Sequence, residues 1–301
     1  VWVLTLLAGL AGGMIPAFSK VSLETMNAGT LTILRYVYTF VALVAFVYLS
    51  GRRVNWRQVS LVLPVSVLAA INAICFPMAV QYVDPASVQL LYTIVPLIVV
   101  VLSWLVLKQR TGLGKLLGVF IGLVGVVVVT LAPLFIQGGT VVFHPVGVAL
   151  VFTGAGAYSL YTVLSKPAQE TASPSDMLLG TAIATLVCQA AYSMITSTPV
   201  SFAGISPRSL LASIIVGLIG TAFFYWVYQY IVKISSPLMA SVILYVQPLF
   251  GALVAYMLLG AGLTLYALLG GALALAGVAQ VNGVWNRLLA RLRTPELESK
   301  P

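Results

Sequence analysis

Arg35 is the residue best placed to do chemistry. It is a full positive charge about seven residues into an apolar run, so roughly 10 Å deep if the run is helical at 1.5 Å per residue. A charge at a bilayer centre costs roughly 2.5–3.5 kcal/mol, less nearer the edge, so its presence needs a reason. Two reasons fit: a snorkelling or structural arginine bonded to helix-end carbonyls or to Asp84, or an anchor for a carboxylate or phosphate. The six acids, Glu24, Asp84, Glu170, Asp176, Glu296 and Glu298, all fall in or near connections between apolar runs. With no acid inside a run, a neutral, zwitterionic or anionic ligand suits the site better than a cation. Asp84 is the one acid expected to reach it.

Polar and aromatic residues give a second pointer. Gln89, Tyr92, Thr93 and Pro96 follow i, i+3, i+4, i+7 spacing and share one helix face. Tyr158, Tyr161, Thr162 and Ser165 share another, Tyr225, Trp226, Tyr228 and Gln229 cluster in a third run, and Asn72 and Phe76 lie in a fourth. Taken singly, such residues read as helix–helix glue or as an interfacial aromatic belt. Taken together they read as the lining of a cavity, whose aromatic walls suit amino acids or nucleobase-like compounds. The binding candidates are Arg35, Asn72, Phe76, Gln89, Tyr92, Thr93, Tyr158, Tyr161, Trp226, Gln229, Tyr245 and Gln247.

Other chemistries lack their parts. His144 is the single histidine, and Cys75 and Cys188 stand alone in apolar runs, so no zinc cluster or disulfide framework is expected. No Gly-Lys-Ser/Thr follows a glycine-rich turn, which leaves ATP without a P-loop. Intramembrane hydrolysis needs paired acids, a metal or a Ser/His or Ser/Lys pair. The reading is a non-enzyme without a cofactor. Its partners are a small-molecule substrate and membrane lipid, with monomer or homodimer both open.

The elements that carry these residues follow from composition. Hydrophobic residues make up 61% of the 301 and charged ones only 7%, so lipid must be the solvent for most of the chain. The net charge of +9 is dispersed between apolar runs rather than gathered in a patch, which argues against nucleic acid. Runs long enough to span cover 1–19, 29–50, 58–82, 86–107, 112–134, 145–166, 176–197, 209–232, 236–259 and 263–286. They are too long and too evenly apolar for barrel strands, so the fold class is all-α integral membrane. The first run lacks a small-residue cleavage site and reads as a helix, with the native start upstream.

With the N-terminus in the cytoplasm, Arg52, Arg53, Arg57, Lys108, Arg110, Lys115, Lys166, Lys233, Arg287, Arg291, Arg293 and Lys300 fall inside. Only Lys20 and Arg208 fall outside. That bias obeys the positive-inside rule for ten helices in a bacterial inner membrane, with both termini cytoplasmic. Lys20 and Lys166 read as interfacial anchors, and Gly9, Gly12, Gly13, Gly118, Gly122 and Gly125 as sites of close packing rather than of phosphate binding.

The chain also repeats itself. Ser19-Lys20 followed by Glu24-Thr25 returns as Ser165-Lys166 followed by Glu170-Thr171. Pro85, Pro96, Gly118 and Gly125 return as Pro237, Pro248, Gly270 and Gly277, which sets Ser241, Leu244 and Tyr245 opposite Gln89, Tyr92 and Thr93. Five spans per copy is an odd number, so the copies enter the membrane from opposite sides. That gives two inverted five-helix repeats, residues 1–135 and 144–286, then a short cytoplasmic tail, 287–301. Such a plan places a substrate site near mid-bilayer at the seam.

Several motifs are family-like. Ala17-Phe18-Ser19-Lys20 with Arg35 in the next span resembles the opening of the EamA repeat. So does the Gln81-Tyr82-Val83-Asp84-Pro85-Ala86-Ser87 turn leading to Pro96. In the second half, Lys233-Ile234-Ser235-Ser236-Pro237 leading to Gln247-Pro248-Leu249-Phe250 is similar to the end of that repeat. The resemblance implies a ten-helix drug/metabolite transporter that exports an amino acid or similar metabolite by alternating access. A lipid-flipping or purely structural protein is the alternative. Two departures stand out: Gln247 replaces a frequent Glu, and Lys108-Gln109 and Gly260-Ala261 replace a frequent Gly-Glu pair. Both weaken carboxylate-based coupling and cation recognition.

Overall fold

A computed structural model describes residues 1–83, 85–136, 144–198, 200–259 and 265–284. Asp84, Gly260-Ala261 and the tail 287–301, which the sequence analysis singled out, lie outside the described residues. The chain runs through ten helical spans with no strand among the described residues. These are α1 Trp2–Ser22, α2 Ala28–Leu49, α3 Trp56–Tyr82, α4 in two pieces, Pro85–Tyr92 and Val95–Leu107, and α5 Leu113–Ile136. They continue with α6 Pro145–Ala168, α7 Pro174–Ile195, α8 Pro207–Ile234, α9 in two pieces, Pro237–Ser241 and Ile243–Leu259, and α10 Leu265–Val281. Nine stretches of the described residues are long and apolar enough to cross a bilayer, and Leu268–Val281 is a shorter apolar one.

Helix starts are written into the connections. The Asn27 side chain accepts from the Thr30 amide at 2.7 Å and starts α2. Ser173 and Asp176 form a reciprocal capping box that starts α7. Ser206 and Ser236 cap α8 and α9, each followed by a proline whose missing N–H costs nothing there. Within the spans, hydroxyls bond back to the preceding turn, as Thr32 does to the Ala28 carbonyl and Ser159 to that of Ala155. Large apolar side chains such as Val41, Leu61, Trp104, Leu117, Phe120 and Leu268 face outward. The outer surface is that of a protein solvated by hydrocarbon.

The packing repeats. α1 lies against α8 and α9 as α6 lies against α3 and α4, while α2 meets α8 as α7 meets α3. α2 also meets α7, and α5 meets α10. Exchanging each helix for the one five places along carries these contacts into one another. The α5–α10 seam is backbone on backbone. A Cβ on Gly118 would stand 2.8 Å from the Gly277 carbonyl oxygen, and one on Gly270 2.6 Å from that of Gly125.

Three spans depart from regular helix. α4 is interrupted at Thr93-Ile94, where Pro96 has no N–H for the Tyr92 carbonyl and the chain tightens into Thr93 N–H to Leu90 O and Ile94 N–H to Leu91 O bonds. In α9 the interruption is at Val242 and Pro248 sits inside the second helical piece. The third is α8, which widens into a π-helix over Val216–Phe223. Nothing in its sequence marked that turn.

Candidate functional site

Arg35 sits on the buried face of α2 with 2% of its surface exposed. The wide turn of α8 meets it there. Thr39, one turn on, donates to the Arg35 carbonyl at 2.9 Å and to the Gly217 carbonyl at 3.1 Å, pinning α2 to the π segment. Thr221 donates to the Val216 carbonyl at 2.7 Å, five residues back, and its oxygen accepts from Arg35 Nε at 3.2 Å. Gly217 permits this approach, since a Cβ there would lie 2.8 Å from the Tyr38 ring. Arg35 Nη1 is buried without a hydrogen-bond partner, and no carboxylate among the described residues pairs with this guanidinium. Of the two readings of Arg35 given above, ion pairing with Asp84 involves a residue outside those described.

Arg35 lines a cavity of about 40 Å³ at the seam between the halves. Asn72, Phe76, Gln89, Tyr92, Tyr158, Tyr225 and Gln247 are among the residues that line it. Asn72 Nδ2 donates to the Tyr92 hydroxyl at 2.8 Å and to the Gly154 carbonyl at 3.1 Å, fixing the phenol in the wall. Gln89 Nε2 donates to Gln247 Oε1 at 2.6 Å, so the interrupted α4 and α9 touch across the cavity through their side-chain amides. Tyr158 meets Tyr225 edge-on at 5.9 Å, and Phe76 meets Tyr92 edge-on at 5.6 Å, geometries that aromatic quadrupoles favour. The described residues of this compartment bring a cation, Arg35, with amide and phenol groups and aromatic walls. Chemically it can receive an anionic group and cover an apolar one. Its volume holds only a few waters, at about 10–15 Å³ each, so an organic ligand needs the helices to move apart.

Seven of the twelve candidates therefore meet around one cavity: Arg35, Asn72, Phe76, Gln89, Tyr92, Tyr158 and Gln247. The other five stand elsewhere. Thr93 bonds back to the Leu90 carbonyl at 2.6 Å. Tyr161 pairs with Thr181 at 2.8 Å. Trp226, one residue beyond Tyr225 and so about 100° further round the helix, faces Phe46 and bonds Ser175 at 3.1 Å. Gln229 accepts from Gln169 at 2.6 Å near the end of α8. Tyr245 packs over Gly122, whose added Cβ would strike its ring. Gly12, Ile15, Phe224, Tyr225 and Leu244 also line the cavity but were not on the candidate list. Tyr225 had a signal in its aromatic cluster. Gly12 reads in the sequence as a packing glycine rather than a lining residue, and a Cβ there would overlap the Gln247 amide.

Thr221 is the positioning partner that sequence reading passed over. Thr221→Val keeps shape but leaves the buried Nε–H without an acceptor, which costs about 1.5–3 kcal/mol for a charged donor. Thermal unfolding in detergent is expected to show that loss, with Thr221→Ser retaining wild-type stability.

Apolar spans enclosing a polar compartment with no carboxylate among its described residues define a polytopic membrane protein built to handle a solute. The family model for EamA-like transporters matches residues 2–131 and 145–283, and the chain belongs to that family. It is a multi-pass membrane transporter. An uncharacterized transporter of Archaeoglobus fulgidus is 24% identical over 284 residues, 92% of this chain and 96% of its own length. The transporter YyaM of Bacillus subtilis is 28% identical over 141 residues, 44% of this chain and 43% of its own. One solved crystal structure superposes with a TM-score of 0.76 at 21% identity, over 95% of this chain and 97% of the other, and shares the fold.

Proposed function

We propose that this transporter carries a small carboxylate-bearing metabolite, an amino acid or similar, out of the cytoplasm of a bacterial cell. The route crosses the inner membrane by alternating access. Residues 1–135 and 144–286 act as two inverted halves that rock about the cavity, with both termini cytoplasmic. The observation that carries the reading is Arg35: a buried cation with one nitrogen unpartnered, on the wall of a compartment whose described residues offer it no carboxylate. A desolvated guanidinium of this kind is balanced when a ligand brings the anion. The smallness of the cavity supports a moving carrier rather than an open channel.

Uptake or counterflow of labelled amino acids by proteoliposomes tests this. Saturable flux above protein-free vesicles is the expected result. Flux of fluorescent lipid between leaflets with no solute flux would instead establish the lipid-flipping alternative. The lining contains no Asp, Glu or His among the described residues, and proton-coupled carriers use such a group as relay. An imposed pH gradient is therefore expected to leave the initial uptake rate unchanged. A several-fold stimulation would place a proton relay in the path.

A further inference from the structure

Lys20 and Lys166 close α1 and α6 and take equivalent places under the exchange of helices described above, yet they behave oppositely. Lys166 Nζ donates to three backbone carbonyls at the end of α8, those of Val232 at 3.1 Å and of Lys233 and Ser235 at 2.9 Å each. The last carbonyls of a helix lack partners within it and carry the negative end of its dipole, so an ammonium is held there on both counts. Neighbouring bonds reinforce the contact. Gln169 Nε2 donates to Gln229 Oε1, Gln229 Nε2 to Ser165 Oγ at 3.3 Å, and Lys233 Nζ to the Ala172 carbonyl at 3.0 Å. Together these tie the α6–α7 connection to the end of α8.

At the opposite face the counterparts are idle. Lys20 is exposed and has no partner among the described residues. Ser19, the counterpart of Ser165, is fully buried with its hydroxyl unpartnered. Gln81, the counterpart of Lys233, is exposed and borders a recess of about 300 Å³ that also takes in Asn27, Gly29, Met78, Gln189 and Tyr192. Those residues lie at or near the start of α2 and the ends of α3 and α7. One face is tied and the other gapes.

We propose that Lys20 and Lys166 are alternate latches. Each in turn caps the carbonyls that end the helix opposite it, α3 for Lys20 and α8 for Lys166, and so closes its own face of the membrane. The arrangement described is the one latched at Lys166. In the converse arrangement Lys20 reaches the carbonyls of Val80, Gln81 and Val83, the Lys166 contacts are released, and the recess beside Gln81 closes. The inference rests on the alternating-access reading, and it gives that reading a physical switch: two equivalent sets of charge-assisted bonds, of which one is made at a time.

The test uses the full chain in lipid nanodiscs, with Cys75 and Cys188 replaced by Ala and spin labels on cysteines introduced at 167 and 234, or at 24 and 82. In the parent protein the 167–234 distance is expected to be short and narrow. Lys166→Gln should move that population to long distances and, together with it, move the 24–82 pair to short ones. A shift of at least about tenfold in the ratio is expected for loss of bonds to a charged donor. Lys20→Gln should remove any short 24–82 population and leave 167–234 short, and Lys166→Arg should resemble the parent. Unchanged distances in Lys166→Gln, or lengthening at both faces together, would overturn the latch. No substrate is needed, so such a failure leaves the Arg35 cavity to be judged by the uptake assay alone.

Discussion

Replacing Arg35 by Gln is expected to reduce transport about 100-fold while the protein still inserts and folds. The estimate comes from what a ligand loses: a charge-assisted, geometrically matched bond, worth about 1.5–3 kcal/mol or a factor of ten to one hundred and fifty. The folded protein loses little. Arg35 has no carboxylate partner among the described residues to be stranded, its side-chain bonds are to the neutral hydroxyls of Thr221 and Tyr225, and removing a buried charge relieves its desolvation. The midpoint of thermal unfolding should hold or rise. Arg35→Lys keeps the charge but not the planar fork and should fall between the two. Proteoliposome flux together with unfolding in detergent reads both quantities. If flux stays at wild-type level in Arg35→Gln, the arginine is no part of the binding site. If flux and stability fall together, Arg35 is a structural bolt.

The largest effect on stability is expected at the α5–α10 seam. Gly277→Leu should lower stability by more than about 3 kcal/mol, the range of severe overpacking. An added side chain meets the Gly118 carbonyl oxygen at 2.5 Å and the backbone of Gly122. Backbone atoms cannot swing aside as the tip of a side chain does, so the two helices must separate along their length. In lipid no hydrophobic force between helices compensates, because packing itself is the attraction. Gly156→Ala is the control: nothing stands within 4 Å of its added Cβ, and alanine is the better helix former by about 1 kcal/mol. Yield of monodisperse protein and unfolding temperature should drop sharply in the first variant and hold in the second.

The helices were legible because a bilayer leaves one solution for a long apolar run. The predicted ends fall within a few residues of those observed; α1, for instance, continues past residue 19 to Ser22. The interruption of α4 near Pro96 was also legible, since a missing N–H is a property of the residue. The one at Val242 was not. Pro248 lies more than a turn further on, inside the second helical piece, and the tight bond from Tyr245 N–H to the Val242 carbonyl involves backbone alone. The site was half legible for a similar reason. Residue type selected Arg35, Asn72, Gln89 and Gln247 because an amide or a charge inside lipid needs a partner. Type does not fix direction: Tyr225 and Trp226 look alike on paper, yet one turns to the cavity and the other to Ser175. The π-helical stretch that brings Thr221 to Arg35 has no signature in its residues Val216–Phe223.

The glycine seam also says where variety can and cannot arise. Two rods touching main chain to main chain form a keel: no rotamer can be exchanged there, and no wider residue admitted, without prising the hull apart. Apart from Gly12, the walls facing Arg35 are side chains, which can be exchanged. Under the proposed reading, a lineage of such proteins changes cargo by altering Phe76, Tyr158 or Gln247 while leaving Gly118, Gly125, Gly270 and Gly277 untouched.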